Sequence, residues 1–175
     1  MRGRFGAEIT WLPFDLHPEY PSEGLTRERF RAQRGYDPRE GLAERFAAAG
    51  LPFTMPEVVP NTMNALRVTE LARDRGLHEA VHDRLMDAYW GEGRNLGDAE
   101  VLRGLATEAG LDEEEVEGVL AGDEYLNRVR ASTAQAQSLG IDGIPGFVLD
   151  ERLLVLGAQP PAVFEQAFAR LGAET

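Results

Sequence analysis

The sequence predicts an α/β fold: a strand near one end, a long helical block, then a hairpin and a helix at the other. Three observations carry this. Residues 7–14 mix apolar–polar alternation with β-branched and aromatic side chains, as a half-buried strand does. From about residue 26 to residue 138, apolar side chains recur at helical spacing between cap residues and glycines. Finally, the apolar runs Phe147-Val148-Leu149 and Leu153-Leu154-Val155-Leu156 flank a tight turn at Asp150-Glu151. Two strand regions so far apart in sequence are expected to share one sheet, with the helices inserted between them.

Taken in order, the strand at 7–14 is stopped by Pro13, which has no N–H to donate. A Pro-punctuated connector follows to Pro21. Thr26 can cap a helix ending at Gly35. Asp37-Pro38-Arg39-Glu40 places a cap, a first-turn proline and a glutamate as a helix start. That helix carries Leu42, Phe46 and Ala49 on one side and stops at Gly50. Residues 51–60 form a Pro-rich loop. Asn61 caps the next helix, with Leu66, Thr69, Leu71 and Ala72, ending at Gly76. A helix over 78–90 buries Val81, Leu85, Ala88 and Tyr89. Others span 98–109, from Asp112 onward with the acidic first turn Glu113-Glu114-Glu115, and 123–139. The terminal helix carries Val163, Phe164, Ala167, Phe168 and Leu171 at helical spacing.

The chain is long enough to bury a core of its own. A net charge of −12 argues against nucleic acid or an anionic membrane as partner, because both require clustered cations. All 18 basic residues are arginine and scattered, which reads as codon bias rather than a binding adaptation. No stretch approaches the roughly 20 apolar residues of a membrane span. Met1 to Gly6 lacks the apolar segment of a secretory signal, so a cytoplasmic protein is expected. With no cysteine, the chain can form no disulfide and perform no thiol chemistry by itself.

Gly143-Ile144-Pro145-Gly146-Phe147-Val148 together with Gly157-Ala158-Gln159-Pro160 resembles the cis-proline loop and final hairpin of DsbA-like thioredoxin-fold oxidoreductases, specifically the FrnE type. Trp11-x-Pro13-Phe14-x-Leu16-x-Pro18, Pro60-Asn61-Thr62, Leu85-x-x-Ala88-Tyr89-Trp90-x-Glu92-Gly93 and Leu102-x-x-Leu105-Ala106-x-x-x-Gly110-Leu111 are similar to the same type, in the same order. The resemblance implies a thioredoxin-like, DsbA-type sheet interrupted by an all-helical subdomain. Residues 1–21 and 139–175 would form the thioredoxin-like part and 22–138 the insertion.

Members of that type begin with a strand ending in Cys-x-x-Cys and a helix, and this chain starts after that unit. It is therefore expected to lack the N-terminal β-strand/helix unit and to be inactive in redox chemistry as it stands. A start further upstream accounts for this with the fewest new events. A truncated pseudoenzyme that grips peptides, and a fragment completed in a dimer, are the alternatives.

The resemblance makes Pro145 the cis-proline, Ile144 the residue whose backbone meets the substrate, and Gly146 its neighbour, where relatives carry a larger residue. No residue of this chain is assigned a catalytic role. The implied partner is a thiol- or disulfide-containing protein or small molecule, with no resident cofactor, and the exposed sheet edge admits a second copy. A related class, the kappa-type glutathione transferases and 2-hydroxychromene-2-carboxylate isomerases, would use bound glutathione instead.

Tyr89 and Trp90 are candidates for lining a groove between helical subdomain and sheet, against the plainer reading as core. His78-Glu79-Ala80-Val81-His82 matches the His-Glu-x-x-His pattern of metalloproteases literally. It lacks a third ligand downstream, so a solvated helix face is expected and no metal site.

Overall fold

The computed structural model describes residues 2–35, 39 and 41–173. They fall into two compact units, one made of residues 17–130 and the other of 1–16 with 131–175.

In the first unit the helix starts follow from side-chain caps. Thr26 accepts from the Arg29 N–H at the start of α2 (Arg27–Arg34), and Gly35 closes that helix with φ +74°. Asp98 accepts from the N–H groups of Glu100 and Val101 at the head of α6 (Ala99–Glu108). Asp112 does the same for Glu114 and Glu115 in α7 (Glu113–Ala121). The start expected at Asp37-Pro38-Arg39-Glu40 falls largely outside the described residues. There α3 (Leu42–Ala48) begins after Gly41, at φ +83°.

Helices α4 (Met63–Asp74), α5 (His78–Met86), α6 and α7 enclose one apolar core. Its fully buried side chains include Val68, Val81, Leu102, Leu105 and Val116. Val81, Leu85, Ala88 and Tyr89 are buried on the face the periodicity predicts. The helix over 78–90 is not uniform, however. After Met86 it becomes a π-helical turn, Asp87–Gly91, in which the Glu92 N–H reaches back to the Asp87 carbonyl.

Two charged side chains of α4 lie where periodicity alone would not place them. Arg67 is 5% exposed and Glu70 3%. The Arg67 guanidinium donates to the carbonyls of Val119, Gly122 and Glu124 and to the Asn64 side chain. It thereby ties off the carbonyls at the end of α7 that have no partner within the helix. Glu70 accepts from Arg73 at 3.1 Å.

The loop at 51–60 contains a short strand the sequence reading missed. β2 (Val58–Val59) pairs antiparallel with β1 (Leu25–Thr26). Two-residue strands give periodicity nothing to detect. Gly24 is required beside them: at φ +77°, any Cβ there would meet the Val59 carbonyl at 2.7 Å. Asn61 does not occupy the cap position itself, which falls to Thr62. Its side chain still accepts from the Met63 N–H and donates to the Tyr20 carbonyl at 2.7 Å.

The second unit contains α1 (Arg2–Phe5), the hairpin β3 (Gly146–Leu149) and β4 (Leu153–Leu156), and α9 (Pro161–Ala173). α8 (Leu126–Ser138) straddles the boundary between the units in sequence.

The strand expected at 7–14 does not form. Ala7 to Thr10 alternate between half-buried and exposed as a strand would, yet no described strand pairs with them. The segment is held instead by hydroxyls of α8: Ser132 donates to the Pro13 carbonyl, and Thr133 accepts from the Asp15 N–H. The expectation that two distant strand regions share one sheet is corrected accordingly. The described strands form two separate two-stranded sheets, β1–β2 and β3–β4.

Replacing Arg67 by methionine is expected to cost about 3 kcal/mol, because it strands several buried carbonyls at once. Urea unfolding measures this directly. A loss below about 1 kcal/mol would mean that water reaches those carbonyls instead.

Candidate functional site

The site is built outward from the end of α8. Gly140, at φ +82°, donates to the Gln137 carbonyl, and the Ile141 N–H reaches the Ala136 carbonyl at 3.0 Å. This closure turns the chain sharply and buries Ile141 to 7% exposure. Asp142 and Gly143 lead to Ile144, which is 57% exposed. The Ile144–Pro145 peptide bond is cis.

The hairpin register then decides which backbone groups are available. Its Cα partners are Gly146↔Leu156, Phe147↔Val155, Val148↔Leu154 and Leu149↔Leu153. The Gly157 N–H donates to the Pro145 carbonyl at 2.8 Å. Antiparallel ladders alternate, so the pairs 147–155 and 149–153 also exchange hydrogen bonds across the hairpin. Gly146 and Val148 therefore turn their N–H and C=O to the opposite edge. Among the described residues, neither backbone group of Ile144 has a hydrogen-bond partner. The result is one open edge carrying Ile144, Gly146 and Val148.

The two faces of the hairpin differ equally. Phe147, Leu149, Leu153 and Val155 pack on Phe164, Phe168 and Leu171 of α9, with Phe5 stacked on Phe168 at 4.5 Å. On the other face Val148, Leu154 and Leu156 are 41–47% exposed. Asp150 and Glu151 both take positive φ in the loop, and the Gln159 side chain donates to the Leu156 carbonyl at the end of β4. From Ile141 to Gly157 the sequence has no Ser, Thr, Cys, His, Tyr or Lys. This segment presents backbone and apolar surface, and it carries no thiol, hydroxyl, imidazole or amine nucleophile.

Tyr89 and Trp90 lie in the helical unit, within the π turn. Tyr89 is buried, and Trp90 is half-buried against Phe53 and Phe46, with ring centroids 6.3 and 5.8 Å away. Thr54 fastens this turn by donating its N–H to the Trp90 carbonyl and its hydroxyl to the Gly91 carbonyl, both at 2.7 Å.

His78 and His82 stack one helical turn apart, with centroids at 6.0 Å, and His82 Nδ1 meets the Asp83 carboxylate at 3.1 Å. Among the described residues no three His, Cys, Asp or Glu side chains are placed to hold a metal ion. Burial first, then the Arg73 and His82 charges, lower the His78 pKa below its ordinary 6.5. No described helix is long and apolar enough to cross a membrane.

The model of the DSBA-like thioredoxin domain matches residues 1–169. The chain belongs to that family. It is 34% identical to a probable DsbA oxidoreductase from Streptomyces coelicolor, with a TM-score of 0.89 over 99% of this chain and 79% of that one. The uncharacterized Bacillus subtilis protein YwbO is 27% identical over 93% of this chain and 81% of its own length. A 2-hydroxychromene-2-carboxylate isomerase shares the fold at 20% identity and a TM-score of 0.70, over 99% of this chain and 85% of its own. The thioredoxin-like fold with a helical insertion, expected from the sequence, stands on these matches.

Two features of the site were not found from the sequence: the outward turn of Val148 and the burial of Ile141. The first was legible in principle, since period-2 alternation through the hairpin assigns residues 144, 146 and 148 to one edge once a single hydrogen bond is known.

A pH effect follows from His78. The unfolded chain takes up the proton first, near the ordinary histidine value. The contribution of neutral His78 is therefore full above pH 6.5 and lost as the pH falls towards its lowered folded value. In thermal unfolding from pH 8 to pH 5, His78→Gln is expected to lose less stability on the acid side than the wild type. Parallel curves would show that His78 titrates alike in both states.

Proposed function

We propose that this chain is the substrate-holding part of a thiol–disulfide oxidoreductase of the FrnE type. The backbone of Ile144, presented beside the cis Pro145 and Gly146, pairs with the extended backbone of a thiol- or disulfide-containing substrate, as an added strand would. The observation that carries this reading is the exposed backbone of Ile144, without a hydrogen-bond partner among the described residues and next to the cis Ile144–Pro145 bond, in a chain of the DSBA-like family.

The redox step itself requires thiols, and these 175 residues contain no cysteine. In such chemistry a thiolate attacks the substrate disulfide and expels one substrate thiolate. A second thiolate then breaks the mixed disulfide, leaving the enzyme oxidised and the substrate reduced. Both thiols would come from a Cys-x-x-Cys strand and helix outside this sequence, and that strand would take the outward backbone groups of Gly146 and Val148, leaving those of Ile144 to the substrate. Under this reading the residues described here bind and orient but exchange no electrons.

A second reading is favoured by the fold shared with the 2-hydroxychromene-2-carboxylate isomerase. It would make the chain part of a glutathione-using enzyme. Titration calorimetry with glutathione separates the two, since binding in the micromolar range would favour the isomerase-like reading.

The 175-residue chain is expected neither to reduce insulin nor to oxidise a dithiol peptide. A version extended at its N-terminus by a strand–helix unit with Cys-x-x-Cys is expected to do so in a dithiothreitol-coupled turbidity assay. Activity of the 175-residue chain unaided would overturn the reading, and so would an inactive extended protein that is folded.

A further inference from the structure

Gly146 is the first residue of β3, and nothing in its own backbone demands glycine. Its φ is not among the positive values found at ten other glycines. The demand comes from a neighbour. A Cβ built at Gly146 would lie 2.7 Å from Ile141 Cγ2, 3.4 Å from Cδ1 and 3.5 Å from Cγ1. Ile141 is buried, while Val148, Leu154 and Leu156 on the same hairpin face are exposed. The Ile141 side chain thus covers one end of a face that is otherwise open.

Ile141 is also fixed from behind, because its N–H closes α8 on the Ala136 carbonyl. Only four residues separate it from Gly146, and Ile144 lies among them. With both ends of so short a loop pinned, the direction of the Ile144 backbone has little freedom left.

We infer that Ile141 is a positioning residue for the substrate edge: its side chain takes the space of a residue-146 side chain and so locks the 141–146 loop that presents Ile144. The role rests on the reading of that edge as a substrate site. The packing beneath it does not, and the two are tested separately.

The packing is tested by thermal unfolding of the 175-residue chain. At a permissive φ, glycine-to-alanine replacement ordinarily raises stability by restricting the unfolded chain. Here Gly146→Ala is expected to lower Tm by about 3–6 °C, through overpacking against Ile141. In an Ile141→Ala background the same change is expected to be neutral or stabilising. In an Ile141→Val background, where Cγ2 remains, it should still lower Tm. A neutral or stabilising Gly146→Ala in the wild type would overturn the inference, as would an equal loss in the Ile141→Ala background.

The positioning role is tested by fluorescence polarisation with a fluorescein-labelled octapeptide of alternating valine and serine. Ile141→Ala is expected to weaken binding about tenfold, and Ile141→Val to stay within about twofold of the wild type. Equal affinities for wild type and Ile141→Ala would overturn the positioning role and leave a packing contact alone. Failure of the wild type to bind the peptide would overturn the substrate-edge reading itself, with the Tm coupling unaffected.

Discussion

Every backbone N–H and C=O taken out of water needs a partner, and a two-stranded hairpin can supply partners on only one side of each strand. That constraint governs the unit formed by residues 1–16 and 131–175. β4 satisfies the inner edge of β3, down to the Gly157 N–H on the Pro145 carbonyl. The outer edge is left to whatever the chain meets. The extended segment at 7–14 lives under the same rule and solves it differently. Lacking a ladder, it borrows the hydroxyls of Ser132 and Thr133 to hold Pro13 and Asp15.

The helical unit escapes the problem because helices satisfy their own backbones except at the ends. Its devices accordingly concentrate at termini. Asp98 and Asp112 accept from first-turn N–H groups, and Arg67 collects carbonyls in and after the last turn of α7. Such an arginine is costly to bury, and its several acceptors compensate for the lost hydration. The ion pairs Arg84–Glu92 and Arg75–Glu115 are, by comparison, exposed pairs of small expected weight.

The contrast explains what could be read in advance. Caps and apolar periodicity are local, so Thr26, Asp98, Asp112, Val81 and Leu85 took their places from the residues alone. The hairpin was legible for the same reason. Strand identity at 7–14 was not, because its pattern reports a half-buried extended segment and says nothing about whether a neighbour exists. The β1–β2 pair was too short to leave a pattern, and the burial of Arg67 depends on acceptors more than fifty residues away. At the candidate site, Ile144, Pro145 and Gly146 stood out by resemblance. The part played by Ile141 needed coordinates, since it depends on a distance across a turn.

The π turn at Asp87–Gly91 has a consequence for how this helix tolerates changes in length. Such a turn is an α-helix that has absorbed one surplus residue, so the side chains beyond it are rotated by about 100° from where a regular helix would carry them. Trp90 owes its place beside Phe46 and Phe53 to that surplus. Deleting Asp87 or Ala88 would let the helix regularise at little cost to its own hydrogen bonds. It would also swing the indole away from its aromatic neighbours and leave Thr54 without the carbonyls it fastens. The register of this one turn thus holds the loop before β2 against the helical core, through the Trp90 ring and the two carbonyls that Thr54 meets.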